Sequence, residues 1–190
     1  MSSRVSLAEK PTLVGESVVL RPVRAADAAG LAALHPETIR LTGTHRIHSI
    51  EVLERWYDSR AGLDDRLDLA IVEPDRDVWI GEVVLTELDP YNLSCGFRIM
   101  LAGPEFYGRG YGTEATRLML GHAFDTVGLH RIELEVYAFN PRARHVYEKV
   151  GFRYEGTRRQ ALRWEGEWVD AHVMAILGDD WADHRGHPAG

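Results

Sequence analysis

Gly108, Gly110 and Gly112 alternate with Arg109 and Tyr111 directly before a helical pattern. Glycine lets a backbone turn tightly and approach a ligand with no Cβ in the way. A helix that starts there leaves its first N–H groups unpaired and carries partial positive charge at that end. The combination is a cradle for phosphate oxygens, presented by the backbone of Gly108 to Thr113. The spacing is neither of two familiar ones: a dinucleotide fingerprint needs glycine one position later, where Thr113 stands, and no Gly-Lys-Ser/Thr triplet follows. A glycine-rich turn without a ligand is the alternative that the loop alone leaves open.

The elements around the loop narrow this choice. Downstream, Ala115, Leu118, Met119, His122 and Ala123 recur at helical spacing on one face, and Gly128 ends the helix. Ile132, Leu134 and Val136 then alternate with Glu133, Glu135 and Tyr137, a strand pattern. With the run Leu93–Leu101 upstream, the order is strand, glycine-rich turn, helix, strand. Two strands joined by a crossover helix should lie parallel. After Asn140-Pro141 comes a short helix with Ala143, Val146, Tyr147 and Val150 on one face. Pro141 suits its first turn and Gly151 its end.

This block resembles the GCN5-related N-acetyltransferases, the GNAT family. Their cofactor loop, Gln/Arg-x-x-Gly-x-Gly/Ala, is met by Gly110 and Gly112. Their downstream signature is met by Asn140, Ala143, Tyr147, Glu148, Lys149, Gly151 and Phe152. The pieces Gly110–Ala115, Leu129–Ile132, Glu155-Gly156 and Trp168–Asp170, with Met174, are similar to the branch of ribosomal-protein N-terminal and spermidine acetyltransferases. Tyr107 departs from the pattern, standing where the family has Gln or Arg. The resemblance implies an α/β (α+β) fold: a mixed, mostly antiparallel central sheet with a splayed parallel strand pair and flanking helices. It implies acetyl-CoA as acetyl donor. Its pantetheine arm would pair with the backbone of Ile99, Met100 and Leu101, and its pyrophosphate would lie on Gly108, Arg109, Gly110, Tyr111, Gly112 and Thr113. Asn140 is the family's contact to the pantetheine arm; its plainer role is to cap the helix.

Acetyl transfer to an amine needs a neutral nucleophile, a polarised carbonyl and a proton for the departing sulfur. The resemblance makes Tyr147 the proton donor. Its position on an apolar face would otherwise mark it as a core tyrosine. Backbone N–H groups near Met100 could polarise the carbonyl. No carboxylate lies in Leu93–Arg98, the strand before the cofactor loop, where many family members carry a glutamate base. Glu82 on the preceding strand is the nearest candidate, against the plainer reading that it faces solvent. A water chain to bulk would remove the need for a base. Cys95 shows no partner in sequence that would activate it as a nucleophile, so transfer should be direct, in a ternary complex. The acceptor class stays open between a small-molecule amine and a protein N-terminus. The rival reading is a CoA-binding sensor or partner subunit without catalysis.

The rest of the chain sets bounds. Its 190 residues are 45% hydrophobic, enough for one domain with its core at about 17–178 and loose ends. A single cysteine excludes an intrachain disulfide and gives no metal spacing, which suits a reducing cytoplasm. A formal net charge of −7 argues against general nucleic-acid binding. No membrane span or signal segment is read. Many relatives pair, so the resemblance leaves room for a homodimer. Strands are expected at Val18–Val23, Leu67–Val72 and Val78–Leu85, helices at Ala25–Leu34 and from Ser49 to about Ala61, and a closing hairpin at Tyr154–Arg159 and Trp168–Leu177. Pro36–His48 reads as irregular, with His45 and His48 as surface residues. Residues from Asp179 on, with His184 and His187, read as a frayed polar tail.

Overall fold

The computed structural model describes residues 5–185. The strands form one eight-stranded sheet in the order β1-β2-β3-β4-β5-β6-β8-β7. These are β1 (Leu13–Val14), β2 (Val19–Pro22), β3 (Leu67–Val72), β4 (Trp79–Asp89), β5 (Ser94–Leu101), β6 (Arg131–Tyr137), β7 (Arg153–Trp164) and β8 (Glu167–Leu177). The helices are α1 (Ala28–Ala32), α2 (Pro36–Leu41), α3 (Ile50–Arg60), α4 (Tyr111–Gly121), α5 (Pro141–Val150) and α6 (Gly178–His184).

Short connections make neighbouring strands antiparallel, as expected: β3 with β4, β4 with β5, and β7 with β8. The crossover through α4 makes β5 and β6 parallel. That pairing covers only Ser94–Gly96 against Arg131–Glu133. Beyond Gly96 the two strands part, while β6 remains paired with β8 along its whole length. The sheet therefore opens in its middle.

One core cluster joins the sheet to α4 and α5 through Leu69, Ile71, Val83, Phe97, Met119, Ile132 and Val150. On β6 the alternation holds: Ile132, Leu134 and Val136 are buried, and Glu133 and Glu135 are exposed. A second cluster, Ala28, Leu31, Leu34, Leu53 and Tyr57, fastens α1 and α3 beside Trp79 and Met100. The inward face of α3 is thus Leu53 and Tyr57. Val52 and Trp56 on the same helix, though apolar, are 39% and 37% exposed. A buried Arg21–Asp27 ion pair with contacts of 2.8 and 2.9 Å ties β2 to the turn before α1.

Three further expectations are corrected. Pro36–Leu41 is a helix, with Pro36 in its first turn and the His35 ring accepting from the Glu37 N–H at 3.1 Å. The stretch before residue 15 contributes β1 to the sheet edge. Residues Gly178–His184 form α6, docked by Trp181, which is 5% exposed and stacks on Phe124. His184 Nδ1 lies 2.8 Å from the Asp180 carbonyl; His187 lies outside the described residues.

Candidate active site

A cavity of about 800 Å³ occupies the opening between β5 and β6. Its wall includes Glu82, Ile99, Met100, Leu101, Gly108, Gly110, Tyr111, Gly112, Thr113, Asn140 and Tyr147, so one space brings together eleven residues singled out by sequence. Arg109 is the exception: it is exposed on the loop and does not line the cavity. His45 and His48 are exposed and also lie off the wall.

Ladder parity decides which backbone groups face the opening. The Ala102 N–H donates to the Ile80 carbonyl on β4 at 2.8 Å. In an antiparallel ladder the direction alternates residue by residue. With Met100 opposite Glu82 and no register shift there, Met100 turns its backbone groups to β4. Ile99 and Leu101 turn theirs to the cavity. The Leu101 carbonyl meets the Thr38 hydroxyl there at 2.9 Å. Of the stretch Ile99–Leu101 singled out in the sequence, the backbone donors toward the cavity are therefore those of Ile99 and Leu101, on either side of Met100. A strand edge that turns its N–H groups at alternate residues to an open space suits an extended ligand with amide groups.

The glycine loop fits a phosphate. Gly108 and Gly110 adopt φ of 72° and 82°, where a Cβ is disfavoured. Gly110 is the N-cap of α4 and supplies no side chain to it. The first bond of that turn runs from the Glu114 N–H to the Gly110 carbonyl at 2.9 Å. The N–H groups of Tyr111, Gly112 and Thr113 precede this bond and have no intrahelical acceptor.

Glu82 does not face bulk solvent, as its strand position had suggested. It turns into the cavity wall, where α3 covers that face of β4. The Tyr57 hydroxyl donates to its Oε2 at 2.6 Å. Burial raises the Glu82 carboxyl above its ordinary 4.5, and the Tyr57 hydrogen bond opposes that rise. Tyr57 is 2% exposed, with its ring in the α1–α3 cluster. Sequence reading missed Tyr57, because nothing in the i, i+4 pattern of α3 announces which strand residue its hydroxyl meets.

Tyr147 presents the opposite chemistry. It packs edge-on to Phe97 and Phe152, with centroids 6.3 and 5.8 Å away. Burial alone pushes its phenol above the ordinary 10, so it keeps its proton at neutral pH. Asn140 accepts from the Ala143 N–H at 3.1 Å through Oδ1, which caps α5 and leaves the amide NH₂ to act as a donor. The Cys95 thiol is buried and pushed up to about 12, the reverse of an activated nucleophile. Among the described residues no group of three metal-ligating side chains converges, and no helix is long and apolar enough to cross a membrane.

The cavity thus offers a strand edge for an amide-bearing arm, a glycine cradle for phosphates, and a protonated phenol and a carboxylate on its wall. This donor set fits acetyl-CoA. Comparison with known proteins agrees. A family model described as an acetyltransferase (GNAT) domain matches residues 17–153. A probable N-acetyltransferase of Bacillus subtilis, YjcK, is 30% identical over 88% of this chain and 98% of its own. A spermidine N(1)-acetyltransferase of Vibrio cholerae is 33% identical over 68% of this chain and 73% of its own. A crystal structure of the Vibrio cholerae spermidine N-acetyltransferase with CoA and spermine shares the fold at a TM-score of 0.80. It is 24% identical and covers 88% of this chain and 99% of its own. The chain belongs to the GNAT acetyltransferase family, and is an acetyl-CoA-dependent N-acetyltransferase.

Proposed function

We propose that the chain acetylates a small cationic amine by direct transfer in a ternary complex, with Glu82 as proton acceptor and Tyr147 as proton donor. The observation that carries this reading is Glu82: a carboxylate on the cavity wall, raised above its ordinary range and oriented by Tyr57. A base with raised proton affinity is better matched to an ammonium than an ordinary surface glutamate is. Glu82 is in no ion pair among the described residues, whereas Glu133 and Glu135 pair with Arg131 and Arg158. A carboxylate held in no ion pair, with Arg66 and Arg98 acting on it only from beyond contact distance, favours a positively charged acceptor.

Acetyl-CoA supplies an activated thioester when bound. The N–H groups of Tyr111, Gly112 and Thr113 hold its phosphates, and the backbone of Ile99 and Leu101 and the Asn140 amide align its arm. Donors on β5 polarise the carbonyl. The reacting nitrogen first gives up one proton to solvent and attacks as a neutral amine; as the N–C bond forms and the C–S bond breaks, Glu82 takes the second proton and Tyr147 gives its own to the sulfur. Exchange with solvent restores both groups. The high proton affinity of Cys95 supports a route with no acyl-cysteine. We assign the enzyme to the cytoplasm, since one buried cysteine has no disulfide partner within the chain.

The relative named for spermidine makes spermidine the first acceptor to try. Thiol release from acetyl-CoA is measured against spermidine, aminoglycosides, amino acids and short peptides with free N-termini. Turnover with a small amine and none with peptides is expected. Turnover confined to the peptides would overturn the acceptor class, and a trapped acetyl-enzyme would overturn direct transfer.

A further inference from the structure

Arg142 is a cation on the cavity wall with no role in the site described so far. It lies in the first turn of α5, after Pro141, and lines the cavity together with Tyr107, Gly108 and Gly110. Its guanidinium carbon sits 3.9 Å from the centroid of the Tyr107 ring. It belongs to none of the ion pairs among the described residues.

The ring beneath it is fixed. The Thr38 hydroxyl donates its one proton to the Leu101 carbonyl at 2.9 Å. The Tyr107 hydroxyl, 2.6 Å from Thr38 Oγ1, must therefore be the donor in that pair. Tyr107 is thus pinned to α2 and β5 at the start of the glycine loop, with one face under a guanidinium. Stacking of this kind pre-organises the planar fork of arginine while leaving its edge N–H groups free.

We infer that Arg142 binds a phosphate of acetyl-CoA, with Tyr107 as its platform. The loop at this point carries a tyrosine where the pattern it otherwise matches has Gln or Arg. The positive side chain comes instead from α5, through space. A fork of fixed orientation suits a phosphate oxygen pair better than a lone ammonium does.

The test measures affinity and needs no turnover. Binding of CoA, dephospho-CoA and pantetheine to the full chain is compared for wild type, Arg142→Ala, Arg142→Lys and Tyr107→Leu. Arg142→Ala weakens CoA about tenfold to a hundredfold, the value of a charge-assisted hydrogen bond, and leaves pantetheine, which has no phosphate, unchanged. Arg142→Lys and Tyr107→Leu lose part of the same affinity. A loss that vanishes with dephospho-CoA assigns the contact to the 3′-phosphate, and a loss that persists assigns it to the pyrophosphate. Equal losses for CoA and pantetheine would make Arg142 a shaper of the cavity and overturn the inference, as would unaltered CoA affinity. Because only binding is read, this result is independent of whether Glu82 is the base.

Discussion

Tyr57→Phe removes one oxygen from the molecule and isolates what Tyr57 does for Glu82. The ring stays in a cluster where it is 2% exposed, so packing is kept. What is lost is a 2.6 Å hydrogen bond to a carboxylate that burial already disfavours as an anion. Hydrogen bonds to charged groups contribute about 1.5–3 kcal/mol, and a tenfold change in protonation equilibrium corresponds to about 1.36 kcal/mol. The direction is fixed by which form the bond favours: Tyr57 donates to the ionised form, so its loss raises the proton affinity of Glu82. The acid limb of kcat/KM against pH therefore moves to higher pH. Below that limb the rate falls about tenfold to about a hundredfold, and at alkaline pH it returns to the wild-type plateau. The assay is thiol release across the pH range, with Glu82→Gln as reference for a profile without that limb. An acid limb that stays in place, or a uniform loss at every pH, would refute the argument and leave Tyr57 a packing residue.

Two further substitutions probe the other parts of the site. Tyr147→Phe lowers kcat by about a hundredfold or more, as removal of a general acid does, while CoA affinity by calorimetry stays unchanged; equal activity would remove Tyr147 from the mechanism. Gly110→Ala places a Cβ at φ of 82°, at a strain of roughly 1–2 kcal/mol. The new methyl meets no protein atom within 4 Å. It therefore lowers the melting temperature by only a few degrees and weakens CoA binding by disturbing the loop; unaltered affinity would contradict the loop's role.

The parts of this fold written in local chemistry were legible in the sequence. Gly128 closes the π-helical segment His122–Val127 that continues α4, and Gly151 ends α5, both in left-handed conformations; Asn140 caps α5, and β6 alternates cleanly because one of its faces is exposed. Helix α2 was lost because half of its six residues are polar and it spans under two turns, although Pro36 was a start signal. Helix α6 was lost because four of its seven residues are polar; Trp181, its large buried side chain, was the available clue. Glu82 was misplaced for a different reason. Alternation shows which face of a strand a residue is on, but not whether that face is wet, and β4 is covered on both sides. Only the position of α3, fixed by contacts distant in sequence, shows that Tyr57 lies over Glu82. The Arg142–Tyr107 stack is equally non-local, joining the start of α5 to the residue before the glycine loop on the cavity wall.

The most direct measurement of the central claim is thiol release from acetyl-CoA with spermidine, comparing wild type with Glu82→Gln. Wild type is expected to turn over, with N-acetylspermidine formed in step with free CoA, and Glu82→Gln to lose most of its kcat with CoA affinity intact. Wild-type turnover undiminished in Glu82→Gln would contradict it, as would CoA binding without release for any small amine.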